Sequence, residues 1–180
     1  MSLGDLLFAG TEWLRSTPLS EIALGIAATS PSLWIGTHFW VIPIIQTLHI
    51  LALAAAFGAV LMINLRILGL SGQSRTFTQT LRRFQPWVWW AVLVLAVSGI
   101  GMVVGEPPRT LINAVFWLKL GLVLLLVLFS YWYQAAVWRH IAQWDGTLRV
   151  SAGFRIGAAL LIILWCIVML AGRWIAYAPV

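Results

Sequence analysis

Two side chains in this 180-residue sequence stand inside long apolar runs and are able to do chemistry: His49 and Lys119. His49 lies in the pattern Gln46-x-x-His49-x-x-Ala52-x-x-x-Ala56. At 3.6 residues per turn these four positions share one helix face. The imidazole then has a polar neighbour one turn before it and small residues one and two turns after it. A flat macrocycle held edge-on to a helix needs that combination: a nitrogen that reaches the iron and little bulk where the ring lies. Neutral imidazole is a common axial ligand of haem iron. The pattern therefore points to haem b, with His49 as the metal ligand. The same residues also suit a histidine hydrogen-bonded to a neighbouring helix, with alanines that serve close packing.

Lys119 sits in Phe116-Trp117-Leu118-Lys119-Leu120, about nine residues or roughly 13 Å into its apolar run. A charged lysine there costs about 2.5–3.5 kcal/mol on insertion scales. Something is expected to offset that cost: a carboxylate, a propionate, a quinone carbonyl, backbone carbonyls or loss of its proton. Snorkelling to the head groups is the alternative. Arg173, near the end of the last apolar run, could join Lys119 toward a propionate or a quinone, or serve with Arg155 as an interfacial anchor. His38 precedes His49 by 11 residues, roughly 16 Å along a helix and within about 20° of the same face. That spacing suits a second stacked site. His38 also falls at an expected membrane boundary, where a solvated histidine needs no ligand. His140, beside Arg139, reads as solvated. No histidine matches His49 in depth, so a second axial ligand would be Met102, Met169 or a group on another subunit. The single cysteine, Cys166, excludes an intrachain disulfide or a cysteine metal cluster. Metalloprotease, nucleophile-elbow, P-loop and dinucleotide-binding signatures are absent from the sequence.

The elements that would position these residues are four apolar stretches, each long enough for the ~20 residues a bilayer crossing takes. They run over about 33–68, 87–104, 110–133 and 151–177. The first exceeds one span and is expected to bend at Pro43, where the ring removes a helical hydrogen bond. GLSGQS, GEPP and WDGT read as the loops between spans. Residues 1–32 mix Asp5, Glu12, Arg15 and Glu21 with leucine, tryptophan and alanine. They read as two short amphipathic helices parted near Thr17-Pro18 and lying on the membrane surface. The segment lacks the basic start of a signal peptide, so cleavage is not expected. Gly101-x-x-x-Gly105 and Gly153-x-x-x-Gly157 allow helices to approach closely.

Composition supports the same class. Hydrophobic residues make up 62% of the chain and charged residues 9%, against roughly 45–50% and about 25% in soluble domains. Sixteen charges could not cover the surface of a soluble globule of this size. A net charge of +6 would suggest nucleic acid in a soluble protein, but here the arginines flank apolar runs. Arg66, Arg75, Arg82, Arg83, Arg139, Arg149 and Arg155 fall on one side with Asp145. Arg15, Arg109 and Arg173 fall on the other, with four acidic residues. The Arg-rich side is expected to be cytoplasmic and both termini periplasmic, in a bacterial inner membrane. Most of the 12 tryptophans lie at run boundaries, where an amphipathic indole is favoured.

Pro43-Ile-Ile-Gln46-Thr-Leu-His49, followed by Gly58 and Asn64-Leu-Arg66-Ile-Leu-Gly69, resembles a family of small, uncharacterised four-span bacterial inner-membrane proteins. Its pattern runs Pro, an acidic residue three before a His, then Asp-Leu-Arg-Leu-Leu-Gly. Ser98-Gly99 and Phe116-x-x-Lys119 are similar too, so the resemblance covers about residues 40–125. Gln46 and Asn64 replace the acidic residues, so no role that needs a carboxylate there carries over. The family's architecture is similar to four-helix b-type cytochromes and copper-resistance membrane proteins, which implies redox or metal chemistry.

The expected fold is all-α: a four-helix transmembrane bundle with amphipathic N-terminal helices, forming one membrane domain. The expected function is a haem b-binding electron-transfer or anchor subunit, exchanging electrons with quinone or a periplasmic partner. A cofactor-free structural or assembly subunit is the first alternative, its partners being lipid, other membrane subunits or a second copy. A small transporter or channel is the second, although the spans hold few polar residues to line a path.

Overall fold

The computed structural model describes residues 3–147 and 149–174, with side chains for 4–147 and 149–172. The described chain is helical throughout: α1 (Leu3–Arg15), α2 (Leu19–Ala27), α3 (Ser30–Thr37), α4 (Val41–Leu68), α5 (Phe77–Gly105), α6 (Pro107–Leu111), α7 (Ala114–Thr147) and α8 (Ala152–Trp174). Four of these, α4, α5, α7 and α8, are long and apolar enough to cross a membrane. Leucine, isoleucine and tryptophan side chains remain exposed along all four, as lipid-facing helices require.

The N-terminal segment divides as its sequence predicts. Ser16 and Thr17 turn their hydroxyls back onto the Trp13 and Leu14 carbonyls, at 2.7 and 2.6 Å. These bonds satisfy the orphan acceptors at the end of α1. Pro18, with φ −59°, then starts α2, where a missing N–H costs nothing.

The first long run, over 33–68, is divided between α3 and α4, so the short entering piece expected there ends before Pro43. Thr37 ends α3, and His38 caps it in an extended conformation (φ −103°, ψ 95°). The break falls at 38–40, and the chain does not bend at Pro43. Pro43 occupies the first turn of α4, where no N–H has an intrahelical acceptor and proline is tolerated. His38 and His49 therefore sit on different elements, so the 11-residue register between them does not exist.

α4 ends as Gly69 predicts. Its φ of +78° is a left-handed conformation that glycine adopts freely. Gly69 N donates to Arg66 O (3.1 Å) and Leu70 N to Leu65 O (2.9 Å), a Schellman closure.

α5 begins ten residues before the expected Trp87. Thr76 and Gln79 cap it reciprocally: Gln79 N donates to Thr76 Oγ1 (3.1 Å), and Thr76 N donates to Gln79 Oε1 (3.2 Å). This is a capping box. Asp145 accepts from Phe77 N (2.6 Å) and Thr78 N (3.3 Å), so a carboxylate meets the positive end of the helix. Pro86 lies inside α5 without ending it.

The third run also differs. α6 is separate, and Asn113 starts α7 by accepting from Val115 N with its side chain (2.9 Å). α7 continues to Thr147, so Trp144-Asp145-Gly146-Thr147 is helical and not the expected loop. Asp145 is engaged with α5 from that last turn, which rewards continued helix there.

Two compact units divide the chain. The first contains the described parts of 1–51, 94–121 and 170–180. In it α2 packs on α6, and Ala23 is fully buried. A Cβ on Gly105 would meet Ile42 Cδ1 at 2.5 Å and Ile35 Cγ2 at 2.9 Å, so this glycine allows the chains to touch. The second unit contains 52–93 and 122–169. Its core holds Val60, Ile63, Leu81, Val137, Ala158, Leu161 and Trp165. There a Cβ on Gly157 would meet the Tyr133 ring at 2.6 Å. Gly153 meets nothing within 4 Å, so only one member of that glycine pair serves close packing.

Candidate functional site

His49 is half-buried in the first unit and engages α5. The Ser98 hydroxyl donates to the Val94 carbonyl, 2.6 Å away. The same oxygen stands 2.8 Å from His49 Nδ1, a bond whose direction depends on the imidazole tautomer; with the hydroxyl hydrogen on Val94 O, Ser98 accepts from Nδ1–H. A neutral imidazole protonated on Nδ1 carries its lone pair on Nε2. In that arrangement Ser98 holds the ring plane and Nε2 is the nitrogen left to ligate. Metal-binding histidines are commonly held in this way through the nitrogen that does not ligate. The ring's Cε1 edge faces Gly99, where a Cβ would stand 3.9 Å away.

Lys119 is brought to the same unit from α7. Its ammonium lies against Gly172 of α8, where a Cβ would sit 3.3 Å from Nζ. The two side chains singled out in the sequence, from different spans, therefore belong to the same compact unit. Among the described residues no ion pair reaches Lys119; Glu12 and Glu106 pair with Arg15 and Arg109 at 2.9 and 3.0 Å.

The other sequence candidates have varied surroundings. Gln46 is exposed on α4, one turn before His49. Ala52 and Ala56 belong to the second unit and are 7% and 0% exposed. His38 hydrogen-bonds through Nδ1 to Trp34 O at 2.7 Å and packs against the Trp34 and Trp40 rings. The backbone of Arg173 continues α8, and its side chain lies outside the described residues. His140 bonds Ala136 O (2.9 Å) and packs against Trp144 and Phe154. It is a partly buried aromatic neighbour and not the solvated histidine expected. Cys166 is a free, part-buried thiol. Among the described residues no group of three or more histidine, cysteine, aspartate or glutamate side chains could enclose a metal.

Several residues that organise the second unit were not legible as functional in the sequence. Arg66 is buried, donates from Nε to Arg75 O (3.1 Å), and lies 4.0 Å over the Phe77 ring. Tyr133 donates its hydroxyl to Phe154 O (2.7 Å). Ser98 carried one signal, a hydroxyl residue beside glycine in an apolar run, but nothing local paired it with His49, 49 positions away.

The family model described as copper resistance protein D (CopD) matches residues 78–172, more than half of the chain. Ser98 and Lys119 fall within the match and His49 precedes it. No curated protein and no solved structure matches.

Proposed function

This chain belongs to the copper resistance protein D family, and we propose that it handles copper within a bacterial inner membrane, with His49 Nε2 as a donor to the ion. The observation that carries this reading is the Val94–Ser98–His49 hydrogen-bond chain, which leaves the ligating nitrogen of a fixed imidazole available. Imidazole and thioether donors suit copper, and Cu(I) favours soft ligands. Met102 follows Ser98 by one turn on the same face of α5 and offers such a thioether. A single imidazole donor suits a cargo ion that binds and leaves better than one held permanently. The arginine distribution favours cytoplasmic Arg-rich helix ends and periplasmic termini.

A second reading rests on the same imidazole with Lys119. His49 would be an axial ligand of haem b and Lys119 the partner of a propionate or a quinone carbonyl, in an electron-transfer or anchor subunit. Bound haem would supply one-electron chemistry. The chain's own residues would orient the ring through Ser98 and offset anionic charge through Lys119.

Purification from copper-supplemented, haem-replete cells separates the two. Metal analysis and an absorption spectrum are taken on wild type and His49→Ala. Bound copper that falls at least tenfold in His49→Ala, without a Soret band, supports copper handling; a factor of 10–100 is typical of lost metal-site contacts. A Soret band abolished by the same substitution supports haem b. A folded, colourless protein with no copper above background overturns both.

A further inference from the structure

We propose that the seam between α5 and α7 binds one anionic phospholipid, its phosphate clasped by Arg82 and Arg139. Two sets of contacts fix the register of these antiparallel helices. At one level the Asp145 carboxylate accepts from Phe77 N and Thr78 N. At the other, Gln85 Nε2 donates to Gln134 Oε1 at 3.1 Å, and Trp138 Nε1 donates to Gln85 Oε1 at 2.8 Å. Arg82 lies between Phe77 and Gln85 on α5, and Arg139 lies between Trp138 and Asp145 on α7. Both arginines therefore fall between the two levels, at one depth on neighbouring helices. Helical geometry also puts them on one side of the seam. Arg82 stands about 60° round from Gln85, away from the buried Leu81. Arg139 stands about 100° round from Trp138, away from the buried Val137. Because the helices are antiparallel, both rotations lead to the same lipid-facing side, and both arginines are exposed. Trp138, 37% exposed, lies between them. Arg83 is turned about 160° from Gln85 and faces away from the seam.

Charge and depth identify the occupant. The second unit carries seven arginines against one acidic residue, Asp145, and that carboxylate is engaged with the start of α5. The ion pairs among the described residues hold Arg15 and Arg109, both in the other unit. Counter-charge for this face comes from outside the chain. A guanidinium offers a planar fork of donors that matches two phosphate oxygens. Further into the spans the same side of the seam turns apolar. Trp89 shares the face of Gln85 on α5, and Tyr131 shares that of Trp138 on α7. They are 40% and 64% exposed, where acyl chains pass. A phospholipid meets both bands, whereas a soluble anion meets only the arginines. A zwitterionic head group brings its own cation beside the phosphate, so two arginines favour a head group of net negative charge.

The test uses the full chain in dodecyl maltoside micelles, titrated with dioleoyl phosphatidylglycerol or dioleoyl phosphatidylcholine. Bound lipid is counted by native mass spectrometry. Phosphatidylglycerol is expected to bind at least about fivefold more tightly than phosphatidylcholine. Arg82→Gln and Arg139→Gln are each expected to weaken phosphatidylglycerol binding about fivefold. Arg83→Gln removes the same charge from a side chain turned away from the seam, and is expected to weaken it less than about twofold. Either seam variant carries the comparison if the other does not fold. Inorganic phosphate is expected not to displace the lipid. Equal losses in all three variants overturn the proposal, because the lipid is then held by the general charge of the boundary. Equal affinities for the two lipids overturn it as well, as does displacement by inorganic phosphate, which would mark a site for a soluble anion.

Discussion

Gly157→Ala probes the closest helix contact in the second unit. An added Cβ would stand 2.6 Å from Tyr133 Cε2 and 3.1 Å from Cδ2, against an optimal carbon–carbon separation of about 3.5–4.0 Å. The ring must therefore move by about 1 Å. It is almost fully buried, so it has nowhere free to go, and overpacking of this kind costs about 1–3 kcal/mol. A displaced ring also weakens the Tyr133 hydroxyl bond to Phe154 O, worth about 0.5–1.5 kcal/mol. Alanine returns about 0.5–1 kcal/mol of helix propensity. The net expectation is a destabilisation of about 1–3 kcal/mol. Gly121 of α7 is the control: a Cβ there meets nothing within 4 Å, so Gly121→Ala is expected to be neutral or to stabilise by up to about 1 kcal/mol. Unfolding by SDS titration in bicelles, followed by circular dichroism, measures both. In a Tyr133→Leu background the cost of Gly157→Ala should largely vanish, since the clashing ring is gone. Equal effects of the two alanines, or an unchanged cost in that background, would refute the reasoning.

Two further outcomes follow from the capping and tautomer arguments. Ser98→Ala removes the acceptor of His49 Nδ1–H, and copper affinity measured by competition with a chelator is expected to fall about 10–100-fold, while Ser98→Thr retains most of it. Asp145→Ala removes the carboxylate that receives Phe77 N and Thr78 N. It is expected to cost about 0.5–2 kcal/mol and to raise amide hydrogen exchange first over the opening turn of α5.

Much of the fold is legible in local chemistry. The Thr17-Pro18 break, the left-handed Gly69 and the four apolar runs each follow from residues a few positions apart, which is the range over which capping, turn and hydropathy rules act. The misplaced boundaries have equally local causes that were open to reading. Thr76-x-x-Gln79 is a capping box that starts α5 well before its apolar stretch. Pro43 is compatible with a first turn as well as with a bend. The continuation of α7 through Gly146 was less accessible, because Asp145 is engaged with the start of α5, 68 positions earlier.

For the candidate site, the sequence by itself determined which side chains were unusual: one lysine and one histidine deep in apolar runs, where any ionisable group is costly. It also determined the membrane class, because so few charges cannot cover a water-soluble surface. Only the tertiary structure decided that Ser98 meets His49 Nδ1, that Lys119 belongs to the same compact unit, and that His38 does not share its helix. Helical periodicity relates residues within one element and carries no record of which face of another element they meet. Those pairings are set by how side-chain volumes interlock between helices, with Gly105 and Gly157 admitting neighbours that any larger residue would exclude.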